Sequence, residues 1–302
     1  MTRILAALDF DFATDNVLAF AGQIARTTGA ELEVLNVRPV EDQPAPTGLP
    51  REELDALEDH LRRRAADALP DVEWSVTVAP APPDTTIADA ILDHSDACDL
   101  LVLGQTESRG LLGWLLGDTT GEAIDGARCP VLVVPARVDF AAPQSFTFAV
   151  DARAVDPTAL AVLAEIARGF RASVDVFVDA TPRWVQTQRE ELNLELADVP
   201  HSYTAASAMG HERTADYLLA RARAVEGTWL CLRHGSKPSW RRRAKQDLGG
   251  ELAKIATVPA LILPDQPPSE GPRAVGLVAE RTGDFRHRLR RDFAEEPRIR
   301  GV

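Results

Sequence analysis

Cysteine is in short supply: three residues in 302, Cys98, Cys129 and Cys231, far apart and without a Cys-x-x-Cys pair. That excludes a disulfide framework or a zinc ribbon and suits a reducing compartment. The six His never fall at a ligand spacing such as His-x-x-x-His, so no structural metal is expected. No apolar run approaches the ~20 residues of a membrane-spanning helix. Met1-Thr2-Arg3 leads straight into a strand-like run with no signal-peptide h-region. A cytoplasmic protein without membrane insertion is expected. Basic residues are also outnumbered, 33 Lys and Arg against 46 Asp and Glu, for a net charge of −13. Such a surface does not bind nucleic acid by general electrostatic attraction. Neither a Gly-x-x-x-x-Gly-Lys-Ser/Thr loop nor a Gly-x-Ser-x-Gly elbow after a strand occurs, so neither a P-loop ATPase nor a serine hydrolase is expected.

What is present is a regular alternation. Short apolar runs, the mark of strands buried on both faces, occur at Ile4 to Leu8, Leu32 to Val37, Leu100 to Leu103 and Val131 to Val134, with a further strand at Trp74 to Val78. Between them lie helix-period segments at about Asn16 to Thr28, Glu52 to Leu69, Thr85 to His94 and Thr119 to Ala127. Gly29 is placed to end the first helix. Arg38 to Pro50, rich in Pro and polar residues, reads as a loop. The order predicts a doubly wound α/β domain with a parallel sheet.

The second half repeats the first. Phe146 to Asp151 (FTFAVD) mirrors Ile4 to Asp9 (ILAALD). Thr214 to Leu219 mirrors Ile87 to Leu92, and Ala256 to Pro264 mirrors Ala127 to Pro135. The predicted organisation is a first domain over 1–138, a linker over 139–145, a second domain over 146–265 and an Arg-rich tail over 266–302. From residue 265 onward eight Arg stand against seven acids, so this tail is +1 and the rest of the chain −14 of the net −13.

Ligands of a doubly wound sheet sit beyond the carboxyl ends of the strands, where the strand order reverses. After the first strand stands Asp9-Phe10-Asp11; after the fourth stands Gly104-Gln105-Thr106-Glu107-Ser108-Arg109-Gly110, leading to Gly117-Asp118-Thr119-Thr120. A chain that begins ILAALD, carries LVLG before a glycine-bearing loop and closes with CPVLVVP resembles the universal stress protein family, well over 3–135 and faintly over 145–264. The resemblance implies two five-stranded parallel sheets of order 3-2-1-4-5. It also implies closing strands, here Val131–Val134 and Ala260–Leu263, that pair antiparallel as a pseudo-dimer within one chain; a homodimer stays open.

Many family members bind ATP through Gly-x-x-Gly, nine residues, then Gly-Ser/Thr. Gly104 matches the first glycine and Gly117 the third, while Glu107 and Asp118 replace the second glycine and the hydroxyl residue, with Thr119 one step later. Carboxylates there oppose a polyphosphate; Arg109 offsets them. The resemblance further places Asp9 near the adenosine part of the ligand and the Val37 backbone beside adenine. The implied ligand is ATP or another adenine nucleotide, with or without Mg²⁺, held by a regulatory module rather than an enzyme, weak ATP hydrolysis staying open.

Each of these residues also has a plain structural reading: Asp118 or a Thr119–Glu122 capping box starting a helix, Val37 as core. In the second half Arg233 stands where the first glycine would be, and the following loop carries Lys237, Arg241, Arg242, Arg243 and Lys245 around Trp240. That set suits an anion or an acidic protein partner. The alternative reading of the whole chain is therefore an interaction scaffold, independent of nucleotide, acting through this loop and the tail.

Overall fold

The computed structural model describes residues 1–8, 14–39, 51–81, 84–105, 118–151, 156–179, 189–190, 192–205, 211–234 and 257–264. The first half runs β1 (Arg3–Ala7), α1 (Thr14–Thr28), β2 (Glu31–Pro39), α2 (Arg51–Ala68), β3 (Trp74–Ala81), α3 (Ile87–Ser95), β4 (Leu100–Gly104), α4 (Asp118–Gly126) and β5 (Val131–Val134). The second runs β6 (Ser145–Asp151), α5 (Pro157–Phe170), β7 (Ser173–Asp179), β8 (His201–Ala205), α6 (His211–Ala224), β9 (Thr228–His234) and β10 (Ala260–Pro264). The strands form one ten-stranded sheet of order β3-β2-β1-β4-β5-β10-β9-β6-β7-β8. Each half is parallel and has the expected 3-2-1-4-5 order. The closing strands meet antiparallel, with Ala260 opposite Val133, Leu261 opposite Leu132 and Ile262 opposite Val131. Met1–Gln266 form one compact unit and Pro267–Val302 a second.

Several boundaries differ from the sequence reading. α1 begins at Thr14, two residues early. β2 runs on to Pro39 because Val37, Arg38 and Pro39 pair with Ala79, Pro80 and Ala81 of β3, which is itself longer than expected. α4 begins at Asp118, so Thr119 lies inside the first turn rather than capping it. A capping box is formed instead in α3. There the Thr86 hydroxyl accepts from the Asp89 amide, and the Asp89 carboxylate accepts from the Thr86 amide.

Pairing registers give the repeat a geometric test. Ile4 opposite Leu32 corresponds to Phe146 opposite Val174, a shift of 142 residues in both strands. Gly104 opposite Val134 corresponds to Arg233 opposite Leu263, a shift of 129 in both. The same shift of 142 carries Gly29 onto Arg171, and both residues are left-handed, with φ of 73° and 58°. Each follows its helix in the same motif. The Ala30 amide returns to Ala25 O at 3.2 Å, and the Ala172 amide to Ala167 O at 2.8 Å. Glycine adopts that backbone freely, whereas arginine does so at a cost.

Apolar residues cover both faces of the sheet without a break at the seam. One layer joins residues of α1, α2 and α5, the other residues of α3, α4 and α6. In the first layer Trp229 of β9 is buried among Phe20 of α1, Phe140, Phe146 and Phe170, with centroid separations of 5.4, 6.4, 5.7 and 6.4 Å. Nearby, α1 and α5 approach so closely that a Cβ on Gly169 would lie 2.6 Å from Thr27 Cγ2.

Because the halves share both apolar layers, urea should unfold Met1–Gln266 in a single transition followed by tryptophan fluorescence and circular dichroism alike. Trp229→Ala should remove about 3–5 kcal/mol while leaving the transition single; two separated transitions would show independent halves. Arg171→Gly, by relieving the left-handed backbone, should raise the midpoint by an amount equivalent to about 0.5–1 kcal/mol.

Candidate functional site at the carboxyl edge of the first half

β1 and β4 are neighbours at the point where strand order reverses. The helices that follow them, α1 and α4, pack on opposite faces. In a doubly wound sheet this reversal of strand order is where the ligand crevice lies. Its walls are fixed by short polar links. The Gln105 amide donates to Val134 O at 2.8 Å, and the Thr120 hydroxyl, buried in the first turn of α4, donates to Gly104 O at 3.5 Å. Asn16 Nδ2 of α1 donates to Ala136 O at 2.9 Å. The α4 amino end, with the partial positive charge of a helix amino terminus, stands at the exit of β4.

The end of the β1–β2 pairing forms the neighbouring part of this edge. In β2 the odd residues face β1 and the even residues face β3: the Glu31 amide donates to Thr2 O at 2.9 Å, the Leu32 amide to Glu73 O at 3.0 Å. The β1–β2 ladder closes with the Leu8 amide on Leu35 O at 2.8 Å. Its next rung would be the Val37 amide on Leu8 O. Instead, Leu8 O accepts from Asn36 Nδ2 at 2.6 Å. The Val37 amide and carbonyl thus face the β1 side beyond the last paired residue, with no described strand opposite. Pro39, the next odd residue, has no amide to offer β1 and fits a ladder that has already ended. Asn36 is 2% exposed, and its Oδ1 finds no partner among the described residues. An unmet buried acceptor of this kind costs roughly 1–3 kcal/mol.

Of the residues read from sequence, Val37, Gly104 and Thr119 come together at this edge. Val37 is 8% exposed and packs its side chain into the α3/α4 layer; Gly104 ends β4, and Thr119 is half-buried in the first turn of α4. Asp9, Arg109 and Gly117 lie outside the described residues, as do Lys237, Arg241, Arg242, Arg243 and Lys245. Sequence reasoning missed Asn36. Its signal was a single amide in the otherwise apolar end of ELEVLNV, where buried strands carry few polar side chains.

The equivalent edge of the second half is built differently. Val178 takes the place of Asn36 and Asp179 that of Val37. The β6–β7 ladder includes Val150 opposite Val178, the pair equivalent to Leu8 and Asn36, and reaches Asp151 opposite Asp179. Arg233 replaces Gly104, and His234 Nε2 lies 3.1 Å from Asp125 Oδ1 of α4, across the seam. Among the described residues no group of three His, Cys, Asp or Glu side chains is placed to hold a metal ion, and no helix is long and apolar enough to cross a membrane.

The fold and site define a Rossmann-like α/β protein with its crevice at a topological switch point. Residues 1–135 match the family model described as the universal stress protein family, and the chain carries a domain of that family. A universal stress protein from Archaeoglobus fulgidus superposes with a TM-score of 0.64 at 12% identity, over 87% of this chain and 96% of its own. Two Pseudomonas aeruginosa structures, PA1789 and a putative universal stress protein, each give 0.57 over 87% of this chain, at 15% and 16% identity and 92% and 93% of their own lengths. At these identities the superpositions speak for the fold. No curated protein matches the chain.

The three thiols are buried and free. Burial pushes Cys98 up to about 11 and Cys129 up to about 12, and holds Cys231 well above the ordinary thiol range. All three stay protonated at neutral pH, which removes the thiolate that reacts. Native protein at pH 8 should therefore leave an aromatic disulfide reagent unconsumed over minutes, and denatured protein should consume three equivalents; rapid labelling of the native chain would contradict this burial.

Proposed function

We propose that the chain is a tandem universal stress protein, a stress-response regulatory module whose first domain holds ATP or another adenine nucleotide. The domains are those read from the sequence: 1–138 and 146–265, joined by the linker 139–145 and followed by the tail 266–302. The observation that carries this reading is the Val37 backbone, a donor and an acceptor side by side at the open carboxyl edge, the complement of the donor–acceptor edge of adenine. The crevice continues toward Gly104 and the amino end of α4, where a helix terminus favours phosphate. In this reading Asp9 meets the ribose, and Gly104 and Gly117 let the backbone approach the phosphates. Thr119 adds a hydroxyl, and Arg109 offsets Glu107 and Asp118. With two carboxylates near the phosphate end, a nucleotide with fewer phosphates has less repulsion to overcome. The function is binding and signalling through the occupied surface, not turnover.

Mass spectrometry of small molecules released from freshly purified protein, with calorimetric titration of ATP, ADP and AMP with and without Mg²⁺, tests the proposal. One adenine nucleotide per chain is expected. Binding should be abolished by Gly117→Glu and kept by Arg242→Glu. No nucleotide, and no binding at millimolar concentration, would overturn the reading and leave the scaffold acting through the Lys237–Lys245 loop and the tail.

A further inference from the structure

We infer that Asn36 is a positioning residue that takes the Leu8 carbonyl from the β1–β2 ladder, so that the first half alone leaves the Val37 amide for a planar ring. The inference deepens the nucleotide reading and rests on it for the identity of the ring, but its geometry stands apart from any ligand. In an uninterrupted parallel ladder the Val37 amide would donate to Leu8 O. The side-chain amide of Asn36 already occupies that carbonyl at 2.6 Å. The rung is replaced by a side chain, and among the described residues the last pair is Ala7 opposite Leu35.

The second half is a control within the same molecule. Val178, at the equivalent position, has no donor to place on Val150 O. There the ladder continues through Val150 opposite Val178 to Asp151 opposite Asp179. The backbone pair that corresponds to Val37 is consumed by the sheet. The preceding residue on the same face is alike in the two halves, with Val34 and Val176 both fully buried. Asn36 also keeps an unpartnered, buried Oδ1. A valine would carry no such defect, which suits a residue retained for what it opens rather than for stability.

The test uses the full-length chain labelled with ¹⁵N-valine, with hydrogen exchange of the Val37 amide read against Val34 as the ladder reference. In the unliganded wild type the Val37 amide should exchange at least 100-fold faster than that of Val34. In Asn36→Val the Val37 amide should slow to the Val34 level, with the thermal midpoint unchanged or raised and the adenine-nucleotide Kd at least 10-fold higher. Val178→Asn, read by ¹⁵N-aspartate labelling, should speed exchange of the Asp179 amide, and it carries the same test should Asn36→Val fail to fold. A Val37 amide as protected as Val34 in the wild type would overturn the inference. So would fast exchange that persists in Asn36→Val. If the exchange behaves as expected while the wild type binds no nucleotide, the role of Asn36 stands and only the ligand is lost.

Discussion

Three residue pairs between β5 and β10 set the arrangement of everything else in the described chain. Both strands are apolar, fully buried and closing strands of their own half, so each presents an edge that water cannot usefully cover. Joining them antiparallel removes two sticky edges at once and reverses strand direction at the seam. The carboxyl edge of the first half therefore lies on the opposite side of the sheet from that of the second. It also brings α1 beside α5 and Phe20 against Trp229, so that the apolar layers run through the seam. The His234–Asp125 contact follows from the same reversal, because the end of β9 and the end of α4 are carried to one edge.

Within this frame the two halves have kept their interiors and changed their edges. The equivalent strand positions Val34 and Val176, Leu101 and Leu230, or Leu132 and Leu261 remain apolar and buried, since a polar atom there would lose its hydration without gaining a partner. The buried acid of β2 also has an acidic counterpart, though the counter-charge differs. Glu33 pairs with Arg3 of β1 at 2.6 Å, whereas its equivalent Asp175 pairs with Arg221 of α6 at 2.5 Å. At the carboxyl edge the equivalent residues differ, although Asn36 and Val37 are themselves buried. Gly104 has become Arg233, Val37 has become Asp179 and Asn36 has become Val178.

How far the sequence speaks follows the same division. Ile4–Leu8, Leu100–Leu103 and Val131–Val134 are legible as strands because burial on both faces leaves them continuously apolar. Gly29 announces the end of α1 through its own backbone freedom. Arg171, which ends α5 with the same left-handed turn, announces nothing, because tertiary packing imposes that backbone against the preference of the side chain. Val37 and Gly104 were found through a motif, as residues rather than as geometry. The hold of Asn36 on Leu8 O could not be read, since it is a contact between residues 28 apart along the chain.

Unsatisfied polar atoms help to separate what the fold demands from what the site demands. Thr14 Oγ1 in the first turn of α1 and Asp156 Oδ2 at the cap of α5 are both buried without a partner among the described residues, and the shift of 142 places them at the same position of the repeat. Burial is also what raises the Asp156 carboxyl above its ordinary range, against the amide hydrogen bond it accepts from Thr158. A defect present in both halves, one of which has lost its glycine cradle, belongs to the turn from strand into helix and carries no information about a ligand. Asn36 Oδ1 has no such counterpart, because Val178 is apolar. Its cost is borne only where the ladder ends early and the Val37 backbone is left facing the crevice. That asymmetry, more than the presence of an unpaired atom, is what ties Asn36 to the site.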